Sequence, residues 1–176
     1  MSAPQKTNIC LVGFMGTGKS AAGRLVAEKL GKEFVETDDI VEKLAGKTIP
    51  EIFQTDGELR FRELEIAAVK AATLAKNVVI SFGGGAVLNH INVLYAKRLG
   101  VVICLVARPD VVYERILSDG PETRPLLAKP DPMGKISRLL EFRAPFYAAA
   151  TDLILDTSDL DPEATCEAII ALYQGT

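Results

Sequence analysis

The sequence predicts an α/β fold built on a parallel sheet. Two observations carry that prediction: short apolar runs alternate with longer amphipathic segments, and most of the short runs are apolar at nearly every position. The alternation is that of successive βαβ units, and near-uniform apolarity is what strands covered on both faces require. The strands expected are Asn8–Val12, Glu33–Thr37, Val78–Ser81, Val101–Val106 and Asp152–Leu155. Helices are expected from about Lys19 to Leu30, Gly57 to Leu74, Asn89 to Arg98, Pro109 to Leu117, Met133 to Tyr147 and Pro162 to Leu172. There is no internal repeat and no linker, so one domain spanning residues 1–176 is expected.

Composition narrows the classes of partner. Hydrophobic residues make up 48% and charged residues 24%, which is the balance of a soluble globular chain and not of a disordered one. The net charge of −3 lacks the basic excess of a nucleic-acid-binding surface, so no nucleic-acid partner is expected. Acidic small substrates stay admissible, because a few arginines can make a local positive pocket on an acidic protein. Cys10, Cys104 and Cys166 are widely spaced and odd in number, which fits neither a disulfide framework nor a metal cluster. Cys10 and Cys104 sit inside apolar runs and read as small hydrophobes. No apolar stretch approaches the roughly 20 residues that span a bilayer. The opening M-S-A-P-Q-K-T lacks the apolar centre of a secretory signal. A cytoplasmic monomer without a membrane partner is the expectation.

The strongest motif follows the first strand. Gly13 to Ser20 reads G-F-M-G-T-G-K-S and matches G-x-x-x-x-G-K-[ST] in full. Glycines there let successive backbone N–H groups face one concavity, and the next helix adds the positive end of its dipole. Lys19 can reach the β- and γ-phosphates of a nucleotide, and the Ser20 hydroxyl can ligate Mg²⁺. An incidental glycine-rich turn would lack the strand before it and the amphipathic helix after it. Such a loop leaves a switch, a motor or a kinase open. The N-K-x-D motif of a GTPase is absent, and the apolar run V-V-I-C-L-V ends in Ala107-Arg108-Pro109 where a motor ATPase would place adjacent acids. The segment Ser118–Pro132 has four prolines, no periodicity and two cations, Arg124 and Lys129. Long loops in compact domains are usually functional or disordered, and a lid that excludes water is what a kinase needs. A surface excursion is the plainer alternative.

Two arginines and an acid fit a kinase acceptor site. Leu59, Arg62, Ile66, Val69 and Thr73 recur at helical spacing, as do Ile136, Leu140, Arg143 and Tyr147. Both spacings place an arginine on an inward apolar stripe. One arginine alone could snorkel out, whereas two suggest a cage for an anion, a carboxylate matching the guanidinium fork. Glu65 is spaced to orient Arg62, unless the two form an ordinary surface pair. Glu36 to Asp39, E-T-D-D, ends the second strand at the edge where open α/β sheets bind ligands, although Asp38 or Asp39 could equally cap a helix. Gly83 to Gly85 follow the third strand and permit close backbone approach to a ligand, with a flexible turn as the competing reading.

In order, G-F-M-G-T-G-K-S, T-D-D, I-F-Q-T-D-G-E-L-R-F-R-E-L-E, S-F-G-G-G-A-V, T-R-P-L-L and F-R-A-P-F-Y resemble the shikimate kinase family from about Asn8 to Leu172. The resemblance implies a doubly wound, three-layer, five-stranded parallel sheet of order 2-3-1-4-5, with an acceptor-binding region about residues 37–66 and a lid about 118–132. It implies ATP and Mg²⁺, and transfer of the γ-phosphate to the 3-hydroxyl of shikimate in aromatic amino-acid biosynthesis. Carried over by position, Lys19, Asp38 and Arg124 are catalytic. Gly16, Thr17, Gly18, Lys19, Ser20, Ala21, Arg115 and Arg124 hold the nucleotide, the loop after Asp156 flanks adenine with Arg115, and Ser20 holds the metal. Asp38, Arg62, Gly83, Gly84, Gly85 and Arg143 hold shikimate. Glu36 stands where many members have aspartate near the metal's waters, and Ala21 where threonine is frequent. A gluconate-type kinase and a non-catalytic ATP-binding regulator are the alternatives.

Overall fold

The computed structural model describes residues 6–119 and 130–176. Five strands form a single all-parallel sheet: β1 (Asn8–Gly13), β2 (Glu33–Glu36), β3 (Val78–Ser81), β4 (Gly100–Val106) and β5 (Leu153–Asp156). Their order across the sheet is β2-β3-β1-β4-β5, the predicted 2-3-1-4-5. β1, β3 and β4 are buried almost throughout, whereas β2 and β5 at the edges are partly exposed along their length.

Alternate side chains of each central strand feed two cores. Ile9, Leu11, Val79, Ile103 and Leu105 meet α1 (Lys19–Leu30) and α8 (Pro162–Gln174) on one face. Cys10, Val12, Ile80, Val102 and Cys104 face the opposite layer, made by α4 (Gly57–Leu74), α5 (His90–Leu99), α6 (Pro109–Ser118) and α7 (Pro132–Ala150). All three cysteines are free and buried, and burial pushes the Cys10 thiol up to about 12, so it packs as a small apolar group. α7 runs through Pro145; the carbonyl that proline leaves unpaired belongs to Glu141, and both residues are exposed, where water can satisfy it.

Three expectations need correction. The second strand ends at Glu36, and Thr37 opens α2 (Thr37–Ala45), followed by α3 (Ile49–Thr55), where no helix is predicted before Gly57. These two helices pack Val41 and Ile52 against Phe61, Leu64 and Ala68 of α4 in a small third core. That packing shifts the buried face of α4 to Phe61, Leu64, Glu65, Ala68, Val69, Ala72 and Thr73, leaving Leu59 78% exposed. Arg62 therefore lies on the flank of the buried face and not at its centre. Finally, neither Asp38 nor Asp39 is a cap: Glu36 holds that position, and both aspartates lie in the first turn of α2.

Candidate active site

Every predicted site residue within the described part of the chain sits at the carboxyl edge of the sheet or on α4, α6 or α7 beside it. β1 delivers the loop from Gly13 to Gly18. Gly13 has φ +141, and a Cβ there would lie 2.3 Å from the Leu105 carbonyl oxygen, so only glycine lets the loop leave β1 against β4. Gly18 caps α1 in the left-handed region at φ 92. Lys19 is buried, and its ammonium donates to the Gly13 and Phe14 carbonyls at 2.8 Å each, curling over the loop whose phosphate it would meet. Thr17 turns its hydroxyl inward to the Phe14 carbonyl at 2.8 Å, so its backbone is what it offers a ligand.

Met15 to Ala21 line a cavity of about 610 Å³ together with Glu36, Asp38, Ser81, Gly83, Gly84 and Arg115. At its nucleotide end, Arg115 donates to Gly16 O at 3.3 Å, Thr157 Oγ1 at 3.1 Å, Thr157 O at 2.6 Å and Leu160 O at 3.1 Å. It thereby joins the phosphate loop to the segment after Asp156. Thr157, which sequence reasoning did not single out, donates to Thr17 O at 2.9 Å and completes that junction.

At the start of α1, the Ser20 hydroxyl donates to Glu36 Oε1 and lies 3.4 Å from Ser81 Oγ. Arg24 holds the other Glu36 oxygen at 3.0 Å and stacks over Phe34 at 4.4 Å. The donor set around Ser20 is all oxygen with one carboxylate, which suits a hard cation of the Mg²⁺ kind. The longer glutamate thus still reaches the serine.

Across the cavity stand Gly83 to Gly85, whose special feature is a missing Cβ. A Cβ on Gly83 would lie 2.6 Å from Asp38 Oδ1, and one on Gly85 would lie 2.9 Å from an Arg62 amino nitrogen. The glycines therefore admit protein side chains, beyond any approach by a ligand. Asp38 is partly buried; burial lifts its carboxyl above the ordinary value, Lys19 opposes that, and Glu36 and Asp39 reinforce it.

Arg62 bonds Glu65 at 3.1 Å and Glu58 at 3.1 Å, and Glu65 is only 2% exposed, so the Arg62–Glu65 contact is no ordinary surface pair. Arg62 and Gly85 line a neighbouring recess of about 320 Å³, while Gly84 lines the main cavity. Arg143 stands against Gly84, donating to its carbonyl at 3.4 Å, and its buried Nε has no partner among the described residues. Tyr147, one turn further along α7, donates to the same carbonyl at 2.6 Å. Its place on the inward stripe was visible in the sequence; its hydrogen bond was not. Arg124 and Lys129 of the predicted lid lie outside the described residues.

A phosphate loop and a carboxylate thus share one cavity, while Arg143 and Arg62 stand against Gly84 and Gly85 of the adjoining glycine turn. The family model "Shikimate kinase" matches residues 15–174. A shikimate kinase of Caldanaerobacter subterraneus subsp. tengcongensis is 48% identical over 94% of this chain and 95% of its own. One from Thermodesulfovibrio yellowstonii is 45% identical over 95% of each. Among solved structures, shikimate kinase from Acinetobacter baumannii in complex with shikimate superposes with a TM-score of 0.85 at 34% identity, over 96% of this chain and 91% of that one. With identity this high from end to end and the same fold, the chain belongs to the shikimate kinase family.

Proposed function

We propose that the cleft transfers the γ-phosphoryl group of ATP to the 3-hydroxyl of shikimate, with Asp38 as base and Arg62 and Arg143 as the grip on the acceptor's carboxylate. The observation that carries this assignment is the meeting of Asp38 and the phosphate loop in one cavity, Asp38 seated against the glycine turn that both arginines approach. ATP lies along Gly16 to Ala21, its phosphates on the loop's N–H groups and its base toward Arg115 and the segment after Asp156. Lys19 exchanges the Gly13 and Phe14 carbonyls for phosphate oxygens, and its charge then meets the charge that grows on the transferring group. Ser20, with Glu36 beside it, would hold Mg²⁺, which would supply positive charge against the phosphates. Arg124 would add a further positive charge there.

Asp38 draws the proton from the attacking hydroxyl, and its lifted pKa brings it closer to the acceptor it must match. A carboxylate on the acceptor answers the unpartnered Arg143 Nε, a buried donor that is costly to leave alone. The protein is read as a cytoplasmic monomer acting on small molecules alone; among the described residues no helix is long and apolar enough to cross a membrane.

A coupled assay of ADP release with shikimate, with gluconate and with neither tests this reading. Release should require shikimate and leave one phosphorylated shikimate per ADP. Release that ignores shikimate, or that gluconate supports equally, would overturn it.

A further inference from the structure

We propose that Tyr147 is a positioning residue for the acceptor, fixing the Gly84 carbonyl and the Arg143 guanidinium as one unit that presents its remaining donors to the substrate's carboxylate. This rests on reading Arg143 and the Gly83–Gly85 turn as the carboxylate site.

Tyr147 follows Arg143 by four residues on α7, so the two side chains share one face of the helix. The Tyr147 ring is 7% exposed and belongs to the main core, which fixes where its hydroxyl can be. That hydroxyl donates to Gly84 O at 2.6 Å, while Arg143 reaches the same oxygen only at 3.4 Å. The phenol therefore makes the stronger of the two bonds that hold this carbonyl. A trans peptide is planar, so a Gly84 carbonyl held toward α7 aims the Gly85 N–H the opposite way. Neither the Gly84 nor the Gly85 N–H has an acceptor among the described residues, in contrast to Gly83 N–H, which donates to Thr37 Oγ1 at 3.0 Å.

The Gly85 N–H, in the peptide that the Tyr147 hydroxyl chiefly orients, thus stands unused together with the Arg143 Nε and, in the preceding peptide, the Gly84 N–H. Burial pushes the phenol up to about 12 against the pull of Arg143, so it remains a donor throughout the physiological range. Arg143 has no such fixed charged partner: no carboxylate lies within ion-pair distance of it among the described residues, and its guanidinium rests over the Phe14 ring at 5.4 Å. Arg62 has Glu65 to orient it; Tyr147 fills that office for Arg143.

Tyr147→Phe keeps the ring in the core and removes only the donor. Its thermal midpoint, kcat and both KM values are to be compared with wild type, Arg143→Ala and the Arg143→Ala/Tyr147→Phe double variant. The KM for shikimate should rise about tenfold, the loss expected of one buried hydrogen bond, with the KM for ATP unmoved. The double variant should be no worse than Arg143→Ala by more than about twofold, since both changes break one unit. An unchanged shikimate KM, an equal rise in both KM values, or fully additive losses would overturn the proposal. If Arg143→Ala itself leaves the shikimate KM unchanged, the carboxylate site is misassigned and this role falls with it. If Arg143→Ala raises it and Tyr147→Phe does not, the site stands and only the role of Tyr147 is lost.

Discussion

Asp38 combines two demands that oppose each other. Proton transfer wants an ionised carboxylate, yet burial lifts its pKa above the ordinary 3.8. A carboxyl group with a raised folded-state pKa stabilises the fold most below the ordinary value, and that stability is lost as pH rises through the folded value. Asp38→Asn removes the charge without the loss. The variant should therefore unfold at higher temperature than wild type near pH 7, with the advantage closing as pH falls toward 3.8. Turnover should fall by about 10²–10⁴ while ATP affinity holds. Paired melting curves and kinetics across pH check both; an Asp38→Asn variant that melts below wild type at neutral pH contradicts the burial argument. The arginines differ as well. Arg62 already meets two carboxylates, Glu58 and Glu65, and Arg143 meets none among the described residues. Arg143→Ala should thus weaken shikimate binding by several times more than Arg62→Ala. Calorimetric titration of both variants reads this, and equal losses would show that the existing ion pairs do not spend the charge of Arg62. Helical spacing marked both arginines and Tyr147, and the strand end marked Asp38, but neither showed what these side chains touch. Arg143 and Tyr147 reach Gly84 from 59 and 63 residues away, and local pattern carries no record of such contacts.

Helices and strands were legible where periodicity was long or apolarity continuous. α1 and α4 begin and end at the predicted residues, and β3 does too, because glycine at Gly31 and Gly57 and continuous burial mark them clearly. α2 and α3 were not predicted, for two different reasons. α2 springs directly from β2 with Glu36 as its cap, a residue without a capping side-chain bond, so no ordinary start signal precedes it. α3 does carry a start signal: Thr48 and Glu51 form a reciprocal capping box, with Pro50 in the first turn. Its seven residues are too few for periodicity to add weight. The glycine turn shows the same limit. Its tripeptide announces a close approach, but only the fold shows that Asp38 and Arg62 are what approaches. Gly83→Ala should displace the Asp38 carboxylate, since the new Cβ would stand 2.6 Å from it. Turnover should fall by at least tenfold, a few tenths of an ångström of misplacement being costly in a reacting site. Gly175→Ala, at a position with room for a Cβ, serves as the silent control. Normal kinetics in Gly83→Ala would mean that Asp38 need not sit where it does.

On the scale of the whole molecule, function follows from where a parallel sheet sends its loops. β1, β2 and β3 release the phosphate loop, Asp38 and the glycine turn at one edge, and the central place of β1 between β3 and β4 makes that edge a cleft. The parallel class was readable from residues alone. The strand order was not, because no local pattern distinguishes neighbours in a sheet, and it came from resemblance to a family. The central claim is that this cleft selects its acceptor by a carboxylate held between two arginines. The measurement that tests it most directly is kcat/KM for shikimate against that for its neutral carboxamide, in wild type, Arg62→Ala and Arg143→Ala. Wild type should prefer shikimate by about ten- to a hundredfold, the worth of one charge-assisted hydrogen bond, and both variants should lose most of that preference, Arg143→Ala the more. Folded variants that keep the full preference would contradict the claim.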